Sequence, residues 1–344
     1  MIKPISINWT RRVARCLVWL LLLAWLPLSA TLTIKIGSVA PERSPWDNAL
    51  KELGREWSRI TQGKVELKIY SGGIVGSEDD MIRKMRVGML GGGGFTNWGL
   101  CKLYNDIYVL NTPFQFESEA ELIYVLEKMM PLFEKKIEEK GYKFIIWTMA
   151  GWVQMFSKHK VVYPDDLKNH KISFATGEPQ MEQFWKKGGF QIIPNEMKDM
   201  MMALQSGMVN AFYLPPLIAA SGQYFPQAPH LLSYRIAPLL GGIVLTDKIW
   251  QQIPDEYKTE MLAVTQKMSK EVYEKTQKLE LEAIKKMVEN GLVINQTSPE
   301  AEKMWRESAS DRLDTLIGKA FSKEIYDRLL AYLREYRNAH GKKQ

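Results

Sequence analysis

Residues 31–70 read TLTIKIGSVAPERSPWDNALKELGREWSRITQGKVELKIY, and this stretch indicates the fold class. TLTIKI at 31–36 and VELKIY at 65–70 alternate apolar with polar residues, which is typical of β-strands. Between them, Ser44-Pro45 resembles a helix N-cap followed by a proline at the first helical position. Apolar residues then recur at helical spacing until Gly63. The order strand, helix, strand predicts a βαβ unit.

The same alternation continues along the chain. Further strands are predicted at 89–95, 142–149, 171–175, 190–194 and 208–214, and helices at 77–87, near 118–140, over 179–187 and from an Asn195 cap to Gly207. Strands that alternate with helices predict an α/β protein with parallel, doubly wound sheets. Ligands of such sheets bind outside the carboxyl ends of the strands. The chain is also longer than one hydrophobic core usually supports, so two lobes are expected.

One helix is predicted to be unusually long. Residues 255–290 contain no Gly or Pro and are rich in Glu, Lys, Leu and Met. A single helix over 254–290 would be about 50 Å long, which exceeds the width of one lobe. We therefore expect it to bridge both lobes, and two helices broken near Thr276 are the alternative.

The first thirty residues predict an export signal. The apolar run CLVWLLLLAWL at 16–26 is followed by a small residue, Ala30, and no acidic residue occurs before Glu42. The run is shorter than the roughly 20 residues needed to span a bilayer, so cleavage is favoured over a retained membrane anchor. The basic residues that precede the run are Lys3, Arg11, Arg12 and Arg15. They contribute more than half of the formal net charge of +7, so the charge gives little support to a nucleic-acid partner.

The sequence offers no catalytic or metal-binding constellation. The four histidines, at 159, 170, 230 and 340, have no metal-ligand spacing, and the glycines at 91–94 lack the lysine of a phosphate-binding loop. After signal cleavage only Cys101 remains, and it is expected to be a buried apolar residue. Methionines 197 and 201 share a helix face with Leu204 and are expected to pack in the core. Neither a metal nor a cofactor is predicted, and an enzyme, for example a hydrolase, is the less favoured class.

Aromatic residues are the unusual feature of the predicted strand ends. Trp147 is expected in the core. Several aromatic side chains gathered where strand ends meet a cleft would form an apolar pocket, which suits a binding protein better than an enzyme. The other aromatic residues at or near these ends are Trp98, Trp152, Phe156, Phe174, Phe212 and Tyr213.

Six segments together resemble a known family. They are GGGGFTNWGL at 91–100, VLNTPFQFESEAEL at 109–122, KGYKFIIW at 140–147, YPDDLKNHKI at 163–172, ALQSGMVNA at 203–211 and TDKIWQQIP at 246–254. Their order and spacing are similar to those of the DctP-type substrate-binding proteins of TRAP transporters, the tripartite ATP-independent periplasmic systems. The resemblance runs from about residue 32 to about residue 290.

The resemblance implies a two-lobe periplasmic-binding-protein fold, with crossing strands between the lobes and a ligand enclosed when they close. We expect lobe I at 31–150, continued at about 240–278, and lobe II at 151–239, continued at about 279–320. A C-terminal helix and tail are expected at 321–344. The implied partners are a small-molecule ligand and the integral membrane subunits of the transporter, with the receptor in the periplasm. A receptor for an ATP-driven importer is an alternative with the same fold.

Three anchoring positions of the family differ in this chain. The pattern after DDLKNHKI has an arginine that pairs with a ligand carboxylate, and here that residue is Ser173. A second basic position of the family corresponds to Val153, and a polar pocket position corresponds to Leu214. Burial of a carboxylate without its cation costs several kcal/mol. A ligand with a large apolar part and few charges is therefore expected.

The candidate ligand-binding residues follow from this hypothesis. They are Asn97, Trp98, Trp152, Ser173, Phe174, Thr176, Phe212, Tyr213 and Leu214. An ordinary organic acid remains the alternative ligand, because Lys171 or Arg43 could supply a displaced cation.

Overall fold

The computed structural model describes residues 31–175 and 178–340. The predicted export signal at 1–30 and the predicted tail at 341–344 lie outside the described residues. Within the described ranges, no helix is both long enough and apolar enough to cross a membrane.

The opening βαβ unit is confirmed. Strand β1 (Leu32–Ser38) pairs in parallel with β2 (Val65–Tyr70), and α1 (Pro45–Ile60) connects them. Ser44 caps this helix, because its hydroxyl oxygen accepts a hydrogen bond from the Asp47 backbone N–H at 3.2 Å.

The strands form one mixed sheet that continues through both halves of the molecule. Its order is β2-β1-β3-β9-β4-β7-β5-β6, and β8 joins β4 to β10. The remaining strands are β3 (Gly92–Thr96), β4 (Tyr142–Ser157), β5 (Lys171–Phe174), β6 (Gln191–Pro194), β7 (Ala211–Leu214), β8 (His230–Leu232), β9 (Ala237–Thr246) and β10 (Val293–Asn295).

The prediction of purely parallel sheets is wrong for the central strands of the sheet. Strand β4 has 16 residues instead of ending at Met149, and it pairs antiparallel with β9 and then with β7. Gly151 lies at a register irregularity and has a φ of 122°, so it bends the strand without ending it. Strands β4 and β9 are the crossing strands that the resemblance implies.

Helices cover both faces of the sheet. They are α2 (Glu78–Arg86), α3 (Asn97–Leu103), α4 (Glu119–Glu138), α5 (Pro164–Leu167), α6 (Pro179–Lys187), α7 (Met200–Gln205), α8 (Pro216–Ser221), α9 (Asp247–Trp250), α10 (Asp255–Glu289), α11 (Pro299–Ser310) and α12 (Lys323–His340). The largest buried cluster contains Cys101 and Trp147, as expected. A second cluster lies under α1, and a third contains Phe156 and Phe212.

The long bridging helix is confirmed as one unbroken element. Helix α10 has 35 residues and contacts α1 on one side of the crossing strands and α8 on the other. Thr276 lies buried within it and does not interrupt it. The α/β class with two lobes is thus confirmed, whereas the residue limits of the lobes stay predictions.

The segment after β6 differs from its prediction. Asn195 does not cap a helix that reaches Gly207. A 3₁₀ turn at Met197–Asp199 precedes the short helix α7, and the Asn195 side chain donates a hydrogen bond to Ser173 instead. The predicted strand at 208–214 begins only at Ala211. Side-chain hydrogen bonding to a neighbouring strand has replaced helix capping here.

Candidate ligand-binding site

A cavity of about 210 Å³ lies where the two halves of the sheet meet. It opens beyond the carboxyl ends of β3, β5, β6 and β7, as expected for strands of an α/β sheet. The crossing strands β4 and β9 form its floor through Val153 and the segment 236–239. The remaining lining residues are Thr96, Asn97, Trp98, Asn111, Pro113, Ser173, Ala175, Glu178, Met181, Trp185, Asn195, Met197, Met200, Tyr213, Leu214 and Pro215.

One amide–amide pair and one amide–hydroxyl pair supply neutral hydrogen-bonding groups. The Asn97 side-chain nitrogen donates to the Asn111 side-chain oxygen on the side of β3. On the side of β5, the Asn195 side-chain nitrogen donates to Ser173 Oγ at 3.1 Å, and its backbone N–H donates to Phe174 O at 2.8 Å. These contacts hold the side chains in place.

Trp98 is held at the rim by the start of α3. Thr96 Oγ1 accepts the Trp98 backbone N–H at 3.2 Å, and Glu78 accepts the Thr96 backbone N–H at 2.6 Å. The Trp98 ring packs edge-on to Tyr108, and Lys102 Nζ lies 4.1 Å from the ring centroid. Trp98 is therefore an ordered aromatic wall.

The opposite wall is also aromatic and is supported from behind. Trp185 and Tyr213 both line the cavity, with ring centroids 6.0 Å apart. Arg312 lies 5.7 Å from the Trp185 ring centroid on the protein side, and burial lowers its pKa to about 10. Its terminal nitrogens find no hydrogen-bond partner in the described part of the chain, so the aromatic rings are its main contacts.

An acidic group, Glu178, lines the cavity. Its Oε2 accepts a hydrogen bond from the Tyr108 hydroxyl at 2.6 Å. Burial raises the pKa of the Glu178 carboxyl above its ordinary value of 4.5, and the Tyr108 hydrogen bond and Lys102 partly offset this rise. The sequence did not indicate Glu178 as a binding residue, because a glutamate followed by Pro179 is typical of the start of a helix.

Five of the predicted binding residues line the cavity, and their roles stay predictions. They are Asn97, Trp98, Ser173, Tyr213 and Leu214. Thr176 lies outside the described residues. Methionines 197 and 200 also line the cavity, which corrects the expectation that Met197 packs in the core.

Three predicted aromatic residues lie outside the lining. Trp152, Phe174 and Phe212 are at most 2% exposed and pack in the core. Each is a strand neighbour of a lining residue, and successive side chains point to opposite faces of a strand. The sequence placed these residues near the correct strand ends but on the wrong face.

Neither proposed substitute cation lines the cavity. Lys171 is exposed at the start of β5, and Arg43 is exposed in the loop before α1. Among the described lining residues there is no lysine or arginine. Val153 does line the cavity, so the second basic position of the family is apolar here.

Comparison with known proteins identifies the same architecture. A model of the family described as bacterial extracellular solute-binding protein, family 7 (DctP), matches residues 36–319. A solute-binding protein from Chromohalobacter salexigens is 24% identical over 190 residues, which cover 54% of this chain and 56% of that relative. The chain thus matches only about half of that relative's length.

Solved structures of TRAP periplasmic solute-binding proteins share the fold. One from Ochrobactrum anthropi, with its C-terminus bound in the ligand-binding pocket, has a TM-score of 0.81 at 17% identity and covers 91% of this chain and 100% of its own. Another, from Sulfurospirillum deleyianum with bound succinate, has a TM-score of 0.77 at 17% identity. It covers 88% of this chain and 99% of its own.

The fold and the cavity define a two-lobe α/β protein with a cavity between its lobes. The chain belongs to the DctP family, family 7 of the bacterial extracellular solute-binding proteins. Proteins of this family are receptors and not enzymes, so the less favoured enzyme hypothesis is set aside.

Proposed function

We propose that this protein is the periplasmic receptor of a TRAP-type secondary transporter, and that its ligand is an apolar or amphipathic organic molecule. The composition of the cavity lining carries the proposal. Aromatic, methionine, proline and aliphatic side chains dominate, and no lysine or arginine is present among the described lining residues. A buried carboxylate without a cation costs several kcal/mol, so this lining disfavours a small organic acid.

An organic acid is the alternative, because the related Sulfurospirillum protein holds succinate. That alternative needs a cation near the ligand. Lys171 and Arg43 are exposed outside the lining, and Glu178 adds an acidic group to the cavity. These positions support the apolar ligand over the acid.

Capture by lobe closure fits the distribution of the lining residues. Trp98 and Asn97 come from one side of the crossing strands, whereas Trp185, Tyr213 and Leu214 come from the other. A ligand between them gains contacts from both sides only when the lobes close, and closure excludes water. The closed form would then present a composite surface to the membrane subunits of the transporter.

Native mass spectrometry of protein purified without refolding tests this function. The expected result is a copurifying small molecule whose extract is rich in apolar carbon and free of carboxylate. The Ser173→Arg variant serves as the control, since it should lose this adduct. A copurifying dicarboxylate or sugar acid would overturn the proposal.

A further inference from the structure

We propose that Glu178 selects a ligand that carries a protonated amine. The ligand nitrogen pairs with the Glu178 carboxylate, and its apolar body packs on Trp185 and Tyr213. This inference rests on the proposed function, because it names the ligand class for the same cavity.

The position of Glu178 frees its side chain for the cavity. Glu178 is the N-cap residue of α6, but its side chain makes no capping hydrogen bond, and Pro179 follows it. Short polar side chains such as Asp at an N-cap usually accept a backbone N–H group of the first turn. Glu178 instead reaches Tyr108, and no described residue donates to its second oxygen, Oε1. Tyr108 thus anchors one carboxylate oxygen, and the other has no hydrogen-bond donor among the described residues.

The surroundings of Glu178 leave it short of positive charge. The titratable groups that interact electrostatically with Glu178 are Cys101 and Lys102 on α3, Tyr108 in the 3₁₀ segment Asn105–Asn111, and Tyr213 on β7. Lys102 is the one cation that acts on Glu178 among the described residues. Burial outweighs it and raises the pKa of Glu178. A cation bound next to Glu178 would stabilise its ionised carboxylate.

Lys102 is already engaged on the outer side of Trp98. Its Nζ lies 4.1 Å from the Trp98 ring centroid and 3.8 Å from Asp79 Oδ1, and it is not among the lining residues. A ligand ammonium would reach Glu178 from the cavity, and the faces of Trp185 and Tyr213 also attract cations. A ligand carboxylate at the same place would be repelled by Glu178.

Calorimetry with three matched probes tests the charge preference. Phenethylamine, 2-phenylethanol and 3-phenylpropanoate share an aromatic body and carry a positive, a neutral and a negative group near neutral pH. The mature protein should bind the amine at least about tenfold more tightly than the alcohol, and the carboxylate least tightly.

Two glutamine substitutions on one helix separate Glu178 from a general charge effect. Glu178→Gln should remove the advantage of the amine over 2-phenylethanol, and a circular-dichroism spectrum like that of the wild type shows that the variant is folded. Glu182→Gln is the matched control, because Glu182 lies on α6 and pairs with Lys186 at 2.5 Å outside the lining. It should keep the wild-type order of the probes.

The pH profile distinguishes pairing from a structural role. Amine affinity of the wild type should rise with pH as Glu178 ionises, over a range that lies above its ordinary pKa of 4.5, and Glu178→Gln should lack this rise. Equal affinities for amine and alcohol, or tightest binding of the carboxylate, would overturn the inference and leave the apolar cavity intact. Failure of all three probes to bind would overturn both the inference and the proposed function.

Discussion

The Asn195 side-chain nitrogen donates a hydrogen bond to Ser173 Oγ at 3.1 Å. Ser173 is the position at which the family resemblance implies an arginine that pairs with a ligand carboxylate. Here the end of β5 instead carries a neutral amide–hydroxyl pair, and both residues line the cavity. The chain therefore lacks the ionic anchor at that strand end, and the residue directly after β6 holds its serine in place.

Ser173→Arg should weaken binding of the native ligand without unfolding the protein. The guanidinium would enter a cavity built for an apolar body, and its desolvation costs several kcal/mol unless it pairs or reaches water. Calorimetry with the extracted native ligand measures the effect, and we expect a loss of at least about tenfold.

Ser173→Ala is the matched control for this substitution. It removes the acceptor for Asn195 but adds no charge, so it should cost about 1 kcal/mol or less of binding. Unchanged binding by Ser173→Arg would contradict the position of Ser173 at the ligand.

Trp98→Ala should impair ligand binding, whereas Phe212→Ala should impair folding stability. Trp98 is partly exposed at the cavity, so its loss should weaken binding by about 1–3 kcal/mol with little effect on stability. Phe212 is fully buried and stacks on Phe156 with centroids 4.8 Å apart. Its loss should lower the free energy of unfolding by about 3–5 kcal/mol. Paired calorimetry and denaturant unfolding measure the two effects.

The opposite pattern would show that the aromatic assignment is reversed. A Phe212→Ala protein of normal stability that has lost its ligand would place Phe212 at the ligand after all.

Local pattern was enough to predict most of the fold. The alternation around α1 and the uninterrupted run of α10 each follow from periodicity and from the positions of Gly and Pro. The length of β4 did not follow, because Gly151 reads as a strand end. Only the pairing with β9 shows that the chain continues through it.

The site was less predictable, because it depends on which side of a strand end a residue faces. Ser173 and Tyr213 line the cavity, whereas their neighbours Phe174 and Phe212 face the core. No sequence pattern indicated Glu178 as a binding residue. Its contact with Tyr108 joins residues 70 positions apart, which no local pattern reveals.

Glu280→Gln should change the pH dependence of stability. Burial raises the pKa of Glu280 to about 7, and Arg235 partly offsets this rise. A carboxyl with a raised folded-state pKa binds its proton more tightly in the folded protein. Stability from Glu280 is therefore present at low pH and is lost as pH rises from its ordinary pKa of 4.5 to about 7. The full loss amounts to about 3 kcal/mol.

Urea unfolding of both proteins at several pH values checks this. The wild type should lose more stability than Glu280→Gln across that window, and the difference should level off above about pH 8. Parallel pH profiles would show that Glu280 ionises normally. Its Oε2, which lacks a hydrogen-bond partner in the described chain, would then be hydrated in solution.

Lobe closure should be visible by small-angle X-ray scattering. The long helix α10 contacts both sides of the crossing strands, so it can support a bending motion about them. Saturation with the native ligand should lower the radius of gyration. An unchanged radius at saturation would count against closure as the capture mechanism.

Titration of the protein with succinate in a calorimeter tests the central claim most directly. A cavity with Glu178 and without a lining lysine or arginine among the described residues should give no measurable succinate binding near neutral pH. Tight succinate binding that disappears in Lys171→Ala or Arg43→Ala would contradict the claim. Lys171 or Arg43 would then replace the arginine of the family, and the protein would be an organic-acid receptor.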